Sequence, residues 1–369
     1  MKRREFIGAA TGTVAAAAVP AMARTRAPGL RILILGGTRF IGVHMTELAL
    51  KRGHEVTLFN RGKSNPALFP RVRHLQGDRN GELETLKGSS WDAVIDDSGY
   101  VPRHVRLSAE LLAPHVQRYV FISSISAYAS FAKPLDEDSP LAQLADSSIE
   151  KVTNDTYGPL KALCERAVET ALPHRALILR PHIVVGPHDT TDRFTYWPAR
   201  AARGGELLAP GVPGTHTQFI DARDLARFTL DGIERELTGT FNMVVPPGTF
   251  TIGDLVSESI AAAKALARPS SPPEATWVSG DFLEKRKVDP DELPLWYPPT
   301  GEGAAFAEVS AARAVAAGLT VTPLRVSVRD TLAWHLKRPA SERTHLKAGL
   351  DAERESMLLK EWHAAGSAS

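Results

Sequence analysis

The 369-residue sequence contains one cysteine, Cys164, so it can form neither an intramolecular disulfide nor a thiolate metal cluster. Its histidines match no zinc motif: His182, His188 and His216 stand apart in polar segments, and we predict no metal site. No stretch reaches the roughly 20 consecutive apolar residues that cross a bilayer. We therefore expect no stable membrane anchor.

The chain also lacks a strong excess of charge, with a formal net charge of +2. The first 23 residues carry three basic side chains and one acidic side chain, so the remainder is close to neutral. A nucleic-acid-binding domain usually carries a marked basic excess. We therefore expect a small-molecule partner and no nucleic acid; a homodimer stays open.

A glycine-rich turn follows the first strongly apolar segment, at residues 30–35, and precedes an apolar-periodic segment, at residues 43–51. Strand, glycine turn and helix stand in the order of a dinucleotide-binding fingerprint, with the helix N-terminus facing the pyrophosphate. Arg39 replaces the middle glycine of the usual pattern. The predicted cofactor-binding residues of the turn are Gly36, Gly37, Thr38, Arg39, Phe40, Ile41 and Gly42.

The second predicted strand, residues 55–59, ends without the carboxylate that would bind the adenosine ribose of NAD. Asn60, Arg61 and Lys63 stand there instead. The two basic side chains suit a 2′-phosphate and favour NADP. Asn60 can also hydrogen-bond a ribose hydroxyl, so NAD stays open, as does the interpretation that both basic residues are simply solvated.

Tyr157 and Lys161 are four residues apart, a spacing that places both on one face of a helix. A nearby cation would lower the pKa of a phenol, which is normally near 10. Such a phenol can exchange a proton with an alcohol or a carbonyl, and the hydroxyl of Ser124 can hold the same oxygen. This set predicts proton transfer at a carbinol centre and requires a hydride carrier.

Taken together, these motifs resemble the extended and atypical short-chain dehydrogenases/reductases of the NAD-dependent epimerase/dehydratase family. The resemblance covers roughly residues 31–230, and the segments at 179–187 and 218–224 follow in the family's order. It implies that Ser124, Tyr157 and Lys161 are the catalytic serine, tyrosine and lysine. Arg39 in the turn is also seen in an atypical subgroup that includes chloroplast stem-loop RNA-binding proteins.

The resemblance extends to further cofactor contacts. It implies that Asp78 lies near the adenine and that Lys161 contacts the nicotinamide ribose, together with Tyr157. The polar loop after the fourth predicted strand is expected near the same ribose. Ser98 is the cofactor candidate in that loop, and Asp96 and Asp97 are weaker ones.

We predict an α/β fold: a Rossmann doubly wound parallel sheet with helices on both faces and a smaller mixed α/β C-terminal substrate lobe. Proline- and glycine-rich loop signals become denser after Pro181, which favours a second lobe. The predicted parts are a signal peptide at 1–23, an NAD(P)-binding domain at 29–185, a substrate lobe at 186–340 interleaved with the sheet, and a helical tail at 341–369.

The substrate candidates lie in and beyond the loop that follows Pro181. This loop mixes a cation, carboxylates and aromatic rings, a combination that suits a sugar. The candidates from this part of the chain are His182, Arg193 and Trp197, and the family resemblance adds Gln218 and Asp224 as positions near the substrate. For Asp224, a helix cap or a buried structural carboxylate is an equally open interpretation.

The N-terminus resembles a twin-arginine export signal. Arg3 and Arg4 precede a short Ala/Gly/Val-rich segment, and an Ala-x-Ala cleavage site ends at Ala23. We expect a periplasmic or secreted protein, or a cytoplasmic one if the signal does not function. No soluble pool of reduced nicotinamide is expected outside the cell, so redox-neutral chemistry with a tightly bound cofactor is favoured.

Three functions follow from these patterns. The first is an NAD(P)-dependent epimerase, dehydratase or oxidoreductase acting on a carbinol of a sugar-like or other small hydroxylated substrate. The second is an NADPH-dependent carbonyl reductase, which requires that the export signal not function. The third is a non-catalytic nucleotide- or RNA-binding protein of the atypical group.

Overall fold

The structure is a computed structural model that describes residues 29–366. The predicted signal peptide at 1–23 lies outside the described residues. The strands are β1 Arg31–Leu35, β2 Glu55–Asn60, β3 Arg73–Gln76, β4 Trp91–Asp96, β5 Val116–Ile122, β6 Ala176–Pro181, β7 Val184–Val185, β8 Glu206–Pro210, β9 His216–Thr217, β10 Ile220–Asp221, β11 Gly239–Met243, β12 Phe250–Thr251 and β13 Glu274–Val278.

The α-helices alternate with these strands in the first half of the chain and predominate in the second. They are α1 Ile41–Arg52, α2 Pro102–Leu112, α3 Asn154–Ala171, α4 Tyr196–Ala202, α5 Ala222–Glu234, α6 Ile252–Leu266, α7 Gly280–Lys285, α8 Ala312–Ala316, α9 Leu324–His335, α10 Ala340–Thr344 and α11 Ala352–Gly366. None of the described helices is long and apolar enough to cross a membrane.

Seven parallel strands form the central sheet, in the order β11-β6-β5-β4-β1-β2-β3. The chain moves from β1 to β2 and β3 on one side, and β4, β5 and β6 build the other side. The order therefore reverses between β1 and β4, and the crevice at their carboxyl ends is where such sheets bind ligands. The predicted doubly wound Rossmann fold is confirmed.

The two faces of the sheet are built by strict alternation along β1. Ile32 and Ile34 pack into the layer that contains α1 and α5, while Leu33 and Leu35 pack into the layer that contains α2 and α3. Since successive side chains of a strand point to opposite faces, a wholly apolar strand requires cover on both sides. The glycine turn therefore follows directly on the carboxyl end of a strand that is buried on both faces.

The sheet draws on residues well beyond position 185. Helix α5 packs against α1, and β11 pairs with β6 as an edge strand. A second apolar cluster, in which α4, α6 and α9 pack together and β8 pairs with β13, forms the smaller lobe. Within the C-terminal tail, α11 is fixed to this lobe by Glu355, which accepts hydrogen bonds from Arg200 Nε at 2.5 Å and from Leu208 N at 3.0 Å.

Candidate cofactor and catalytic site

Two asparagine amides hold the glycine turn from outside. Asn60, at the end of β2, donates from Nδ2 to the carbonyl of Gly36 at 3.0 Å, and its Oδ1 accepts from Gly62 N at 2.9 Å. Asn65 donates from Nδ2 to the carbonyl of Thr38 at 2.8 Å. Both Asn60 functional groups are therefore engaged with backbone, so its contribution to the site is to shape the turn.

The carbonyl groups of the turn are bonded by side chains, whereas several of its amide groups are not bonded within the described chain. Thr46 of α1 donates to the carbonyl of Gly37 at 3.1 Å, so three successive turn carbonyls are engaged by side chains. Among the hydrogen bonds of the described chain, none is donated by the N–H groups of Arg39, Phe40 or Ile41. These amides lie at the N-terminus of α1, where a helix binds anions. The turn therefore fits a dinucleotide diphosphate.

The adenosine end of the crevice combines a cation and a carboxylate. Arg61 Nη1 lies 3.9 Å from Asp78 Oδ2, and the Arg61 side chain is 60% exposed. Lys63 is also exposed. The fold thus brings the residues after β2 and β3 together and places a cation near a carboxylate, while the adenosine pocket stays a prediction. This arrangement leaves the preference between NAD and NADP open.

A buried ion pair between Arg79 and Asp96 lies at the carboxyl end of β4, beside the crevice. Asp96 accepts two hydrogen bonds from Arg79, both at 2.6 Å, and a third from Tyr119 OH at 2.8 Å. Ser98 donates from its hydroxyl to the carbonyl of Leu35 at 2.7 Å, which joins the ends of β4 and β1. Ser98 therefore fixes the strand ends next to the predicted cofactor site.

Asp97 extends from the same strand end into the glycine turn. Its Oδ2 accepts a hydrogen bond from Gly37 N at 3.1 Å. Burial raises the pKa of Asp97 to about 7, against the usual value near 4. The sequence makes Asp97 only a weak candidate for cofactor binding. The pairing of β1 with β4, which brings its carboxyl group to the glycine turn, is not visible in the sequence.

Lys161 lies on the buried face of α3. Its Nζ donates to the carbonyl of Gly99 at 2.8 Å and to that of Ile122 at 2.6 Å, and it sits 4.4 Å from the ring centroid of Phe121. Burial lowers the pKa of Lys161 to about 8. The ammonium group thus ties the ends of β4 and β5 together.

Tyr157 and Ser124 meet above this lysine. Ser124 caps a short 3-10 helix at Ile125–Ala127, and Tyr157 lies in the first turn of α3. Burial raises the pKa of Tyr157 above its usual value, while the Ser124 hydroxyl and the charge of Arg193 act in the opposite direction. The prediction that the cation of Lys161 lowers this pKa is wrong for this arrangement, because burial dominates and the Lys161 ammonium is directed at backbone carbonyls.

Arg193, which follows β7, brings positive charge near Tyr157. Its Nε donates to Thr191 Oγ1 at 3.2 Å, and Thr191 in turn donates to the buried carboxylate of Asp189 at 2.8 Å. The Arg193 charge acts on the pKa of Tyr157, His182 and Tyr297. Of the predicted substrate residues, Arg193 is the one whose charge acts on Tyr157.

His182 is buried with both ring nitrogens engaged. Nδ1 accepts from Ile183 N at 2.8 Å, so Nε2 carries the proton and donates to the carbonyl of Phe306 at 3.0 Å. Burial lowers the pKa of His182 to about 4, which keeps the ring neutral. This geometry corrects the expectation that His182 faces substrate, because the ring instead anchors the segment around Phe306.

Three further substrate candidates also belong to the protein core. Trp197 is 1% exposed and donates to the carbonyl of Pro294 at 2.8 Å. Gln218 is fully buried, and its amide bonds the backbone of Val245 and Val309. Asp224 is 1% exposed and accepts two hydrogen bonds from Thr322. These contacts correct the substrate prediction: the three side chains hold distant segments together.

Two residues that the sequence did not single out lie at the site. Tyr100 is 47% exposed, its ring centroid is 5.3 Å from Lys161 Nζ, and its ring lies 6.3 Å from that of Tyr157. Asn65, described above, reaches the glycine turn from 27 residues away. Only the three-dimensional fold shows that Asn65 contacts the turn. The position of Tyr100 directly after the predicted polar loop that follows β4 was visible in the sequence.

Among the described residues, no cluster of His, Cys, Asp or Glu could hold a metal ion.

Comparison with known protein families agrees with this geometry. The model of the NAD dependent epimerase/dehydratase family matches residues 32–102 and 101–243. The chain therefore belongs to that family, which confirms the resemblance drawn from the sequence.

Three curated relatives show the range of the family. Chloroplast stem-loop binding protein of 41 kDa b from Arabidopsis thaliana is 35% identical over 114 residues, 27% of this chain and 30% of that protein. Epimerase family protein SDR39U1 from Mus musculus is 27% identical over 69% of this chain and 88% of its own. A UDP-glucose 4-epimerase from Neisseria meningitidis is 28% identical over 43% of this chain and 54% of its own.

Two solved structures have the same fold. WbmH from Bordetella bronchiseptica, in complex with NAD+, has a TM-score of 0.60 and 17% identity, over 84% of this chain and 99% of that one. Human SDR39U1 with NADPH has a TM-score of 0.52 and 20% identity, over 82% and 99%. The two neighbours bind different nicotinamide cofactors, which is consistent with an NAD(P) site in this chain and leaves the preference unresolved.

Proposed function

We propose that the protein is an NAD(P)-dependent epimerase/dehydratase-type oxidoreductase that acts on a carbinol of a sugar-like or other small hydroxylated substrate. The observation that carries this proposal is the side-chain hydrogen bond between Ser124 and Tyr157, on the helix whose Lys161 binds the backbone at the ends of β4 and β5. The glycine turn at the end of β1 adds backbone amides that have no partner among the described residues. The names of relatives that act on UDP-glucose support a sugar substrate.

In this proposal, Tyr157 transfers the proton. Because burial raises the pKa of Tyr157, the side chain is a neutral phenol near pH 7 and is suited to donate a proton to a carbonyl oxygen. Accepting a proton from an alcohol needs the phenolate, which Arg193 and Ser124 favour. The bound nicotinamide supplies the hydride chemistry. Lys161 holds the strand ends that frame the reaction.

The charge of Arg193 supports an anionic substrate group. Among the described residues, its guanidinium has one hydrogen-bond partner, Thr191, through Nε, so its two terminal nitrogens remain available to a ligand. A guanidinium suits a phosphate or carboxylate in two-point contact. A sugar nucleotide or a sugar acid is therefore the substrate class that the charge favours.

A redox-neutral cycle with retained cofactor is the form of this activity that suits an exported protein. The direct test is to purify the native, exported protein and to record the absorbance and mass spectrum of the ligand released on denaturation. Stoichiometric NAD or NADP identifies a retained cofactor. Protein free of nicotinamide, which also fails to bind NAD+, NADP+, NADH or NADPH in calorimetry, contradicts the proposal.

A second candidate, a non-catalytic RNA-binding protein, is favoured by the similarity to the chloroplast stem-loop binding protein. The balanced charge of the chain argues against it, because binding to phosphates depends on basic side chains. A gel-shift titration with stem-loop RNA at physiological salt distinguishes the two. Submicromolar RNA binding without turnover of any sugar nucleotide would favour the second candidate.

A further inference from the structure

The carboxyl group of Asp97 lies directly on the glycine turn. A Cβ atom built on Gly36 would come 1.7 Å from Asp97 Oδ1, and one built on Gly42 would come 2.1 Å from Asp97 Oδ2. A side chain at either glycine would therefore collide with the Asp97 carboxyl group, so both positions need glycine while that group lies there. Asp97 Oδ2 also accepts from Gly37 N, so the group is fixed in position.

This location coincides with the predicted diphosphate site. Gly36 follows β1 and Asp97 follows β4, and the sheet order reverses between those strands. The amides of Arg39, Phe40 and Ile41 lie in the same turn, at the N-terminus of α1, and have no partner among the described residues. An ionised carboxylate here and a dinucleotide diphosphate would be like charges in one partly buried space, which disfavours both.

The charged and titratable groups around Asp97 do not neutralise it. Asp96, its chain neighbour, is occupied by Arg79. Lys161 of α3 is directed at backbone carbonyls, and Arg39 of the turn is exposed, with Tyr100 close to both. In the described part of the chain, no cation forms an ion pair with Asp97. Burial therefore dominates, and it raises the pKa of Asp97 to about 7.

We propose that Asp97 binds the cofactor's diphosphate as the neutral carboxylic acid, so that binding of the dinucleotide takes up one proton from solvent. Because Oδ2 already accepts from Gly37 N, the proton belongs on Oδ1, where the acid O–H can donate to a phosphate oxygen. No bond other than this O–H forms or breaks. The inference rests on the proposed function, since it requires that the crevice bind a nicotinamide dinucleotide.

The test is calorimetric titration of the full mature chain with NAD+ in pairs of buffers that differ in ionisation enthalpy, at pH 6.0 and pH 7.5. With a pKa of about 7, the wild type should take up about 0.1 proton at pH 6.0 and about 0.75 at pH 7.5. Its affinity should fall about fourfold between these values. Asp97→Asn keeps an acceptor for Gly37 N and should bind without proton uptake and with the same affinity at both pH values.

A control isolates Asp97. Glu110→Gln changes an exposed carboxylate of α2, outside the proposed cofactor site, and should keep the uptake at pH 7.5. If Asp97→Asn does not fold, Asp97→Ser replaces it, and the wild-type measurement decides by itself. Binding of NAD+ without uptake, or equal uptake in Asp97→Asn, overturns this inference alone. Absence of NAD(P) binding at every pH overturns the proposed function and this inference with it.

Discussion

Lys161 donates a hydrogen bond from Nζ to the carbonyl of Ile122 at 2.6 Å, two residues before Ser124. The lysine of the Tyr-x-x-x-Lys motif thus fixes the strand end that precedes Ser124. Lys161 is 2% exposed, and its ammonium is held by backbone oxygens rather than by a carboxylate. Burial of a charged lysine in this way costs stability.

Substitution of Lys161 should change how stability depends on pH. Since burial lowers the pKa of Lys161 to about 8, from the usual value above 10, the unfolded chain binds more protons between these values. Wild-type stability relative to Lys161→Met should therefore rise from about pH 8 to 10.5, by on the order of 2–3 kcal/mol. Urea unfolding at pH 7.5, 9 and 10.5 measures this difference, with the exposed Lys151→Met as the control. A difference that is constant with pH contradicts the prediction.

Removal of the Asn65 amide should weaken cofactor binding. Asn65 has a φ of +46°, a conformation that glycine adopts without strain, so Asn65→Gly removes the hydrogen bond to Thr38 and preserves the backbone. Loss of about 0.5–1.5 kcal/mol corresponds to a roughly two- to tenfold rise in the Kd of NAD(P). Calorimetry measures it, and Asn65→Asp, which lacks the donor and adds a negative charge beside the turn, should weaken binding at least as much. Unchanged Kd values in both variants would mean that the turn holds its shape without this amide.

Arg61 should distinguish the two cofactors. If its guanidinium meets a 2′-phosphate, Arg61→Ala should weaken NADP binding by on the order of 1.5–3 kcal/mol and leave NAD binding nearly unchanged. Arg71, exposed in the same connecting segment, provides the matched control Arg71→Ala. Equal small losses for NADP and NAD in calorimetry would mean that Arg61 is solvated and pairs only with Asp78.

The sequence predicted the sheet core and the cofactor turn because both depend on local patterns. Alternation along β1 and the order strand, glycine turn, helix are visible over about twenty residues. Gln218 and Asp224 are substrate candidates because they resemble family positions near the substrate. Their partners, Val309 and Thr322, lie about 90 residues or more away and reach them only in the folded chain. Burial of a polar residue by a distant segment has no local sequence signal.

The export signal makes a separate prediction about location. Arg3 and Arg4 should direct the folded protein across the cytoplasmic membrane, with the mature chain starting at or near Arg24. Changing both arginines to lysine should leave the precursor in the cytoplasm, as measured by cell fractionation and N-terminal sequencing. If both forms stay in the cytoplasm, the export prediction is wrong, and free NADPH can then support the reductase alternative.

Tyr157→Phe should abolish turnover while leaving the fold and cofactor binding nearly intact. The change removes one hydroxyl, whose proposed task is proton transfer, typically worth about 10²–10⁴-fold in rate. Ser124→Ala should cost less, because it removes a positioning hydroxyl that also accepts from Ser126 N at 3.1 Å. The measurement is single-turnover hydride transfer at the absorbance band of reduced nicotinamide, with each candidate sugar nucleotide as substrate. A neutral phenol near pH 7 should favour carbonyl reduction at low pH, whereas alcohol oxidation should accelerate as the pH rises and Tyr157 ionises. Wild-type rates in Tyr157→Phe would contradict the catalytic assignment and favour the binding-protein alternative.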